Sequence, residues 1–181
     1  MTLTAYSSTS SLNSNDDMKI PDKKVINLAG FLICAGLMGY ALYSQHQLLL
    51  EPCPLCILQR IAVIGLGAVF LVAGLHNPAG AGRFVYAVLT AVAMVFGAIV
   101  AGRHVWLQLL PADQVPACGP GLDYMWENFP LADVINMVFR GSGECANVDW
   151  QFLGLSMPAW VLIAVLGLGG AGIWNNLRRA S

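Results

Sequence analysis

The chain has 181 residues, of which 57% are hydrophobic and only 10% charged. Soluble domains carry about 25% charged residues, so this composition excludes a water-soluble globule and indicates a membrane protein. The formal net charge is −1, and with no large basic cluster and no phosphate-binding glycine motif, nucleic acid is excluded as a partner.

Residues 1–24 read as a disordered cytoplasmic tail, rich in Ser, Thr and Asn and closed by Lys19, Lys23 and Lys24. The first apolar run, 25–43, is too long for a signal core of about 7 to 15 residues. At about 1.5 Å per residue it reaches about 28 Å, close to the hydrocarbon thickness of about 30 Å. An uncleaved transmembrane helix is expected there. Further spans are expected at about 57–75, 84–102 and 157–174, with Asn77-Pro78 and Gly80 to Gly82 forming a tight turn between the second and third. Arg103-His104-Val105-Trp106 marks the exit of the third span, where Trp106 suits an interfacial belt and Arg103 can snorkel to the headgroups. Connections at about 44–56 and 103–156 lie on one side, and 178–181 end the chain on the other. In the longer connection, Leu131, Val134, Ile135 and Val138 recur at i, i+3, i+4 and i+7, the pattern of a short amphipathic helix. That helix can lie on the bilayer surface or pack on the bundle. The fold expected is all-α, a transmembrane four-helix bundle with a long periplasmic loop containing one short amphipathic helix.

Charge sets the orientation. Lys19, Lys23, Lys24, Arg83, Arg178 and Arg179 flank one side, while the other holds Arg60, Arg103 and Arg140 against Glu51, Asp113, Asp123, Glu127, Asp133, Glu144 and Asp149. Basic flanks stay in the cytoplasm, so both termini are expected there, with the loop cysteines facing outward.

The five cysteines are Cys34, Cys53, Cys56, Cys118 and Cys145. Cys34 falls inside an apolar run and reads as a small buried hydrophobe. The other four suggest two pairs in an oxidising compartment. Cys53-Pro54-Leu55-Cys56 stands where a polar loop enters the second span. Pro54 is tolerated in the opening turn of a helix, which puts Cys56 in the first turn. Unpaired N–H groups and the helix dipole there favour a thiolate, and Arg60 follows at i+4 on the same face. A structural disulfide and a zinc or copper site are the other readings of the motif. Cys118 and Cys145 lie 27 residues apart in breaker-rich segments. A disulfide closing that loop would remove roughly 3 to 4 kcal/mol of denatured-chain entropy, enough for a staple. The surrounding glycines and prolines favour exposed, mobile thiols instead, and two such pairs look like stations of an electron relay. With no flavin, nicotinamide or haem motif, and a thiol pair beside lipid, the acceptor should be lipid-soluble. A quinone fits, reduced by the Cys56 thiolate, with Arg60 and His104 as candidates to polarise its carbonyls; His104 can equally be a plain interfacial residue.

The motifs Glu51-Pro52-Cys53-Pro54-Leu55-Cys56 with Arg60, His104-Val105-Trp106-Leu107-Gln108, Gly143-Glu144-Cys145 and Trp150 through Pro158 together resemble the bacterial disulfide bond formation protein B family, DsbB. The resemblance covers nearly everything after the tail. It implies a multi-pass protein of the bacterial inner membrane that reoxidises DsbA, a thioredoxin-fold periplasmic protein, and passes the electrons to ubiquinone or menaquinone. By the same resemblance Cys118 would form the mixed disulfide with reduced DsbA, Cys145 would exchange with Cys53, and Cys56 would meet the quinone with Arg60 and His104. No metal is implied. The DsbA–DsbB–quinone chain is already the established example of periplasmic oxidation; DsbA stands at about −120 mV, and each 30 mV of shortfall costs an ordinary disulfide about 1.4 kcal/mol. The rival reading is a non-enzymatic membrane scaffold with two disulfide staples, whose cysteines would stay oxidised and unreactive.

Overall fold

The computed structural model describes residues 21–78, 80–117, 119 and 122–178. Cys118, Arg179 and most of the expected tail lie outside the described residues. Four long helices dominate: α1 (Lys23–Gln47), α2 (Pro54–His76), α3 (Gly82–Gln108) and, last in the chain, α6 (Met157–Leu177). All four are long and apolar enough to cross a membrane. Their outward faces carry exposed Leu32, Ile64, Val88, Val92, Ile99 and Ile163. Apolar side chains turned outward in this number suit a lipid solvent and not water. The chain is a multi-pass membrane protein, and its described residues are all-α apart from one small hairpin.

Helix packing follows from small residues. A methyl group added at Gly97, Gly169 or Gly172 would lie 2.5 to 2.9 Å from Val165, Met94 or Phe70. Hydrogen there lets α6 close on α3 and α2, the usual basis of helix association where lipid removes the hydrophobic drive. Cys34 is 3% exposed and packs with Val63, Leu66, Phe70 and Val165. At the end of the bundle where α1 begins and α6 finishes, Asn27, Asn175 and Asn176 are buried. Asn175 donates to Asn27 Oδ1 at 3.1 Å and Asn27 donates to Asn176 Oδ1 at 3.3 Å, tying α1 to α6.

The connection between α3 and α6 folds against the opposite end. It holds α4 (Leu122–Asn128), α5 (Leu131–Arg140), a 3-10 turn (Gly143–Ala146) and the antiparallel hairpin β1 (Gln151–Phe152) and β2 (Leu155–Ser156). The amphipathic stripe falls on α5 and divides between the two alternatives left open for it. Val134 and Val138 are buried on the bundle, whereas Leu131 and Ile135 stay exposed. Arg103, expected to snorkel, instead donates to the carbonyls of Phe139 at 3.2 Å and Arg140 at 3.0 Å. Those are terminal carbonyls of α5, which a helix leaves without internal partners, so Arg103 caps one helix from another. Gly141 follows with φ 80°, and a Cβ at that position would run into Leu107. Glycine is therefore required there twice over, by conformation and by space.

Candidate active site

Cys53 is the N-cap of α2, its sulfur accepting the backbone N–H of Cys56 at 3.4 Å, and Pro54 opens the helix. The sequence sets this up: proline lacks the N–H that a first turn cannot use, and the cap residue satisfies one that remains. The two sulfurs of the motif are consequently turned toward each other, 3.1 Å apart.

Helix α3 brings the third participant. It continues to Gln108, beyond the span end expected at 102, so the inward stripe of Gly97, Val100 and Ala101 carries on to His104 and Leu107. His104 is 2% exposed, an inward residue and not an interfacial one. Its Nε2 lies 3.8 Å from Cys53 Sγ and its Nδ1 lies 4.0 Å from Cys56 Sγ. Gln59 is buried one turn after Leu55 on α2, with its amide nitrogen 2.8 Å from His104 Nδ1. With that N–H donating to Nδ1, the neutral imidazole carries its proton on Nε2, facing the Cys53 sulfur. Gln59 was not among the expected site residues. The signal was present in the sequence, since Leu55, Gln59, Ala62 and Leu66 form one buried helical stripe with a polar residue inside it.

Cys145, expected to be an exposed and mobile thiol, is instead fully buried on the 3-10 turn, with its ligand atom and those of Cys53 and His104 all within 4.8 Å of one another. The adjacent Cys53 sulfur, followed by burial, pushes the Cys145 thiol well above its ordinary range. Leu55, Val100, Leu107, Met125, Val134 and Val138 close around the group. A sulfur shielded in this way exchanges with its neighbours and not with bulk thiols.

Arg60 is anchored on a neighbouring helix. Its guanidinium donates to Gln45 Oε1 and, at 3.2 Å, to the Ala41 carbonyl, so its fork is held by α1. It stands one turn beyond Cys56 on the same helix without bonding to the sulfur. Cys118 lies outside the described residues. Of the expected site residues, the fold gathers Cys53, Cys56, Cys145 and His104, and holds Arg60 at the edge.

Residues 23–175 match the sequence profile of the disulfide bond formation protein DsbB family. Among named relatives, the disulfide bond formation protein B of Nitrosococcus oceani is 58% identical over 146 residues, covering 81% of this chain and 86% of the relative. That of Methylococcus capsulatus is 52% identical over 164 residues, 90% of this chain and 100% of the relative. A third, from Hahella chejuensis, is 56% identical over 149 residues, 82% and 90% of the two chains. A profile match across four spans and a clustered thiol site, together with relatives matched over most of their length, lead to one conclusion: this chain belongs to the disulfide bond formation protein B family.

Proposed function

We propose that this disulfide oxidoreductase reoxidises a DsbA-like periplasmic dithiol carrier and delivers the electrons to a membrane quinone through Cys118, Cys145, Cys53 and Cys56 in that order. The observation that carries the reading is the position of the Cys53 sulfur, 3.1 Å from Cys56 and within 4.8 Å of Cys145. A sulfur with a partner on each side can leave one disulfide and enter another without large movement.

The exchange balances as follows. A carrier thiolate attacks Cys118 in a Cys118–Cys145 disulfide, forming a mixed disulfide and freeing Cys145 as thiolate. Cys145 attacks Cys53 of the Cys53–Cys56 disulfide, forming Cys145–Cys53 and freeing the Cys56 thiolate. The second carrier thiol then displaces Cys118, and the carrier departs oxidised. Cys118 attacks Cys145 and restores the first pair, leaving Cys53 and Cys56 with the two electrons. A bound quinone supplies the acceptor for those two electrons and two protons.

Three features of the chain fit such an acceptor. Cys56 is half-buried where Cys53 and Cys145 are buried, which makes it the accessible sulfur of the three. The neighbouring surface of α2, with Ile61 exposed, is apolar. Arg60, held by Gln45 and Ala41, provides a fixed cation one turn away, and His104 Nε2–H can donate to a thiolate or pass on a proton. In this reading both termini lie in the cytoplasm and the sulfurs face the periplasm of a bacterial inner membrane, as the distribution of Lys and Arg favours.

The decisive experiment follows quinone reduction by the purified protein supplied with reduced DsbA, comparing the native chain with Cys118→Ala and Cys56→Ser. Native turnover lost in both variants is the expected result. Full activity in Cys56→Ser would overturn the order of stations, and no native turnover with either ubiquinone or menaquinone would overturn the acceptor.

A further inference from the structure

Two sulfurs and one imidazole nitrogen converge at the site, those of Cys53, Cys145 and His104, and redox exchange alone does not require the nitrogen among them. Nε2 of His104 is 3.8 Å from Cys53 Sγ, Cys56 Sγ is 3.1 Å from Cys53 Sγ, and the Cys53, His104 and Cys145 ligand atoms lie within 4.8 Å of one another. Zinc binds sulfur at about 2.3 Å and imidazole nitrogen at about 2.0 Å, so a tetrahedral ion needs its donors about 3.5 to 3.8 Å apart. The histidine pair already meets that spacing. Among Cys53, His104 and Cys145 the widest separation needs a contraction of about 1 Å, within the reach of side-chain rotation.

We propose that the reduced protein holds a thiophilic metal ion of the zinc type between Cys53, Cys145 and His104, with the fourth position open, and that the bound ion takes the relay out of use. The regulatory half of this statement rests on the relay reading; the site itself rests on the donor set. No electrons move on binding: two thiols lose their protons as thiolates bind, and the imidazole donates a lone pair. A sulfur engaged in a disulfide is no longer a thiolate donor, so only the reduced state can form the site.

Gln59 gives the histidine both of its roles. With the amide N–H toward Nδ1, His104 presents Nε2–H to Cys53 as a hydrogen-bond donor. With the amide turned over, Oε1 accepts from Nδ1–H and Nε2 offers a lone pair to the same place. A metal-binding histidine usually has its second nitrogen engaged by such an acceptor, which fixes the ring and strengthens the ligand. The 2.8 Å separation serves either orientation. Leu55, Val100, Leu107, Val134 and Val138 supply the dry surroundings in which thiolate and metal attract most strongly.

The test uses the full-length protein in detergent, reduced anaerobically and freed of reductant. Zn2+ is titrated against a chromophoric chelator, and Co2+ is added separately to read tetrahedral sulfur ligation from its visible absorption. The expected result is one metal per chain in the reduced form and none at this site in the oxidised form. His104→Ala and Cys145→Ala should each weaken binding at least tenfold, Gln59→Leu about tenfold, and Cys34→Ala not at all. His104→Gln, which keeps a polar side chain in the packed site, repeats the test should His104→Ala misfold. Failure of the reduced native chain to bind Zn2+, or binding indifferent to both the His104 and Cys145 substitutions, overturns the proposal. Quinone turnover is measured separately on metal-free protein. Its loss with metal binding intact counts against the relay, and intact turnover without metal binding counts against the site.

Discussion

At the end of the bundle that carries Lys23 and Arg178, buried amides of Asn27, Asn175 and Asn176 bond across α1 and α6 at 3.1 to 3.3 Å. At the end that carries Cys53, two sulfurs meet at 3.1 Å and sulfur meets imidazole at 3.8 to 4.0 Å, with Cys145 inside a 4.8 Å group. Both ends bury polar atoms between helices, and the difference lies in what those atoms can exchange. Amides in directed hydrogen bonds lock two helices together and offer no covalent alternative. Sulfur forms weak hydrogen bonds, so little is lost when one neighbour is traded for another. The first arrangement suits a clamp and the second a relay.

Breaking the reactive end should have the largest effect. Cys145→Ala removes the station beside Cys53 and should bring carrier-driven turnover down to background while leaving the melting temperature near native; retained turnover would mean that the carrier reaches Cys53 directly. His104→Ala, which removes the donor facing Cys53, should slow turnover about a hundredfold, read in steady-state assays with the helical content checked by circular dichroism. At the clamp the sign reverses. Asn175→Leu leaves Asn27 Oδ1 without its donor and Arg178 Nε without its acceptor and should cost about 1 to 2 kcal/mol, seen as a lower melting temperature in detergent with turnover per folded molecule unchanged. The smallest change is expected from Arg103→Gln, which uncaps α5 at a cost of about 0.5 to 1 kcal/mol. Hydrogen exchange should quicken in the last turn of α5 and not in the four long helices.

The same contrast explains what could be read from the amino-acid order. Spans and the short amphipathic helix follow from apolar periodicity, which each segment carries within itself, and the reactive cysteines declare themselves by chemical type. His104 was harder because Arg103 beside it suggests a helix leaving the membrane. The continuing stripe of Val100, His104 and Leu107 was the better guide. Contacts made between distant segments left no local trace: Arg103 on the carbonyls of α5 and Arg60 on α1. Gln59 belongs to both groups, visible as a polar residue on a buried stripe but given meaning only by the imidazole that α3 sets opposite it.

The position of Cys53 as a helix cap also decides which replacement isolates its chemistry. Its sulfur accepts the Cys56 N–H at 3.4 Å, a task that a hydroxyl performs better, whereas a methyl group performs it not at all. Alanine at this position would remove the redox station and fray the start of α2 together, mixing two defects in one phenotype. Cys53→Ser should separate them, giving a protein that inserts and accumulates in cells at native abundance yet fails to support disulfide formation. Loss of function in that allele can then be assigned to the missing thiol alone.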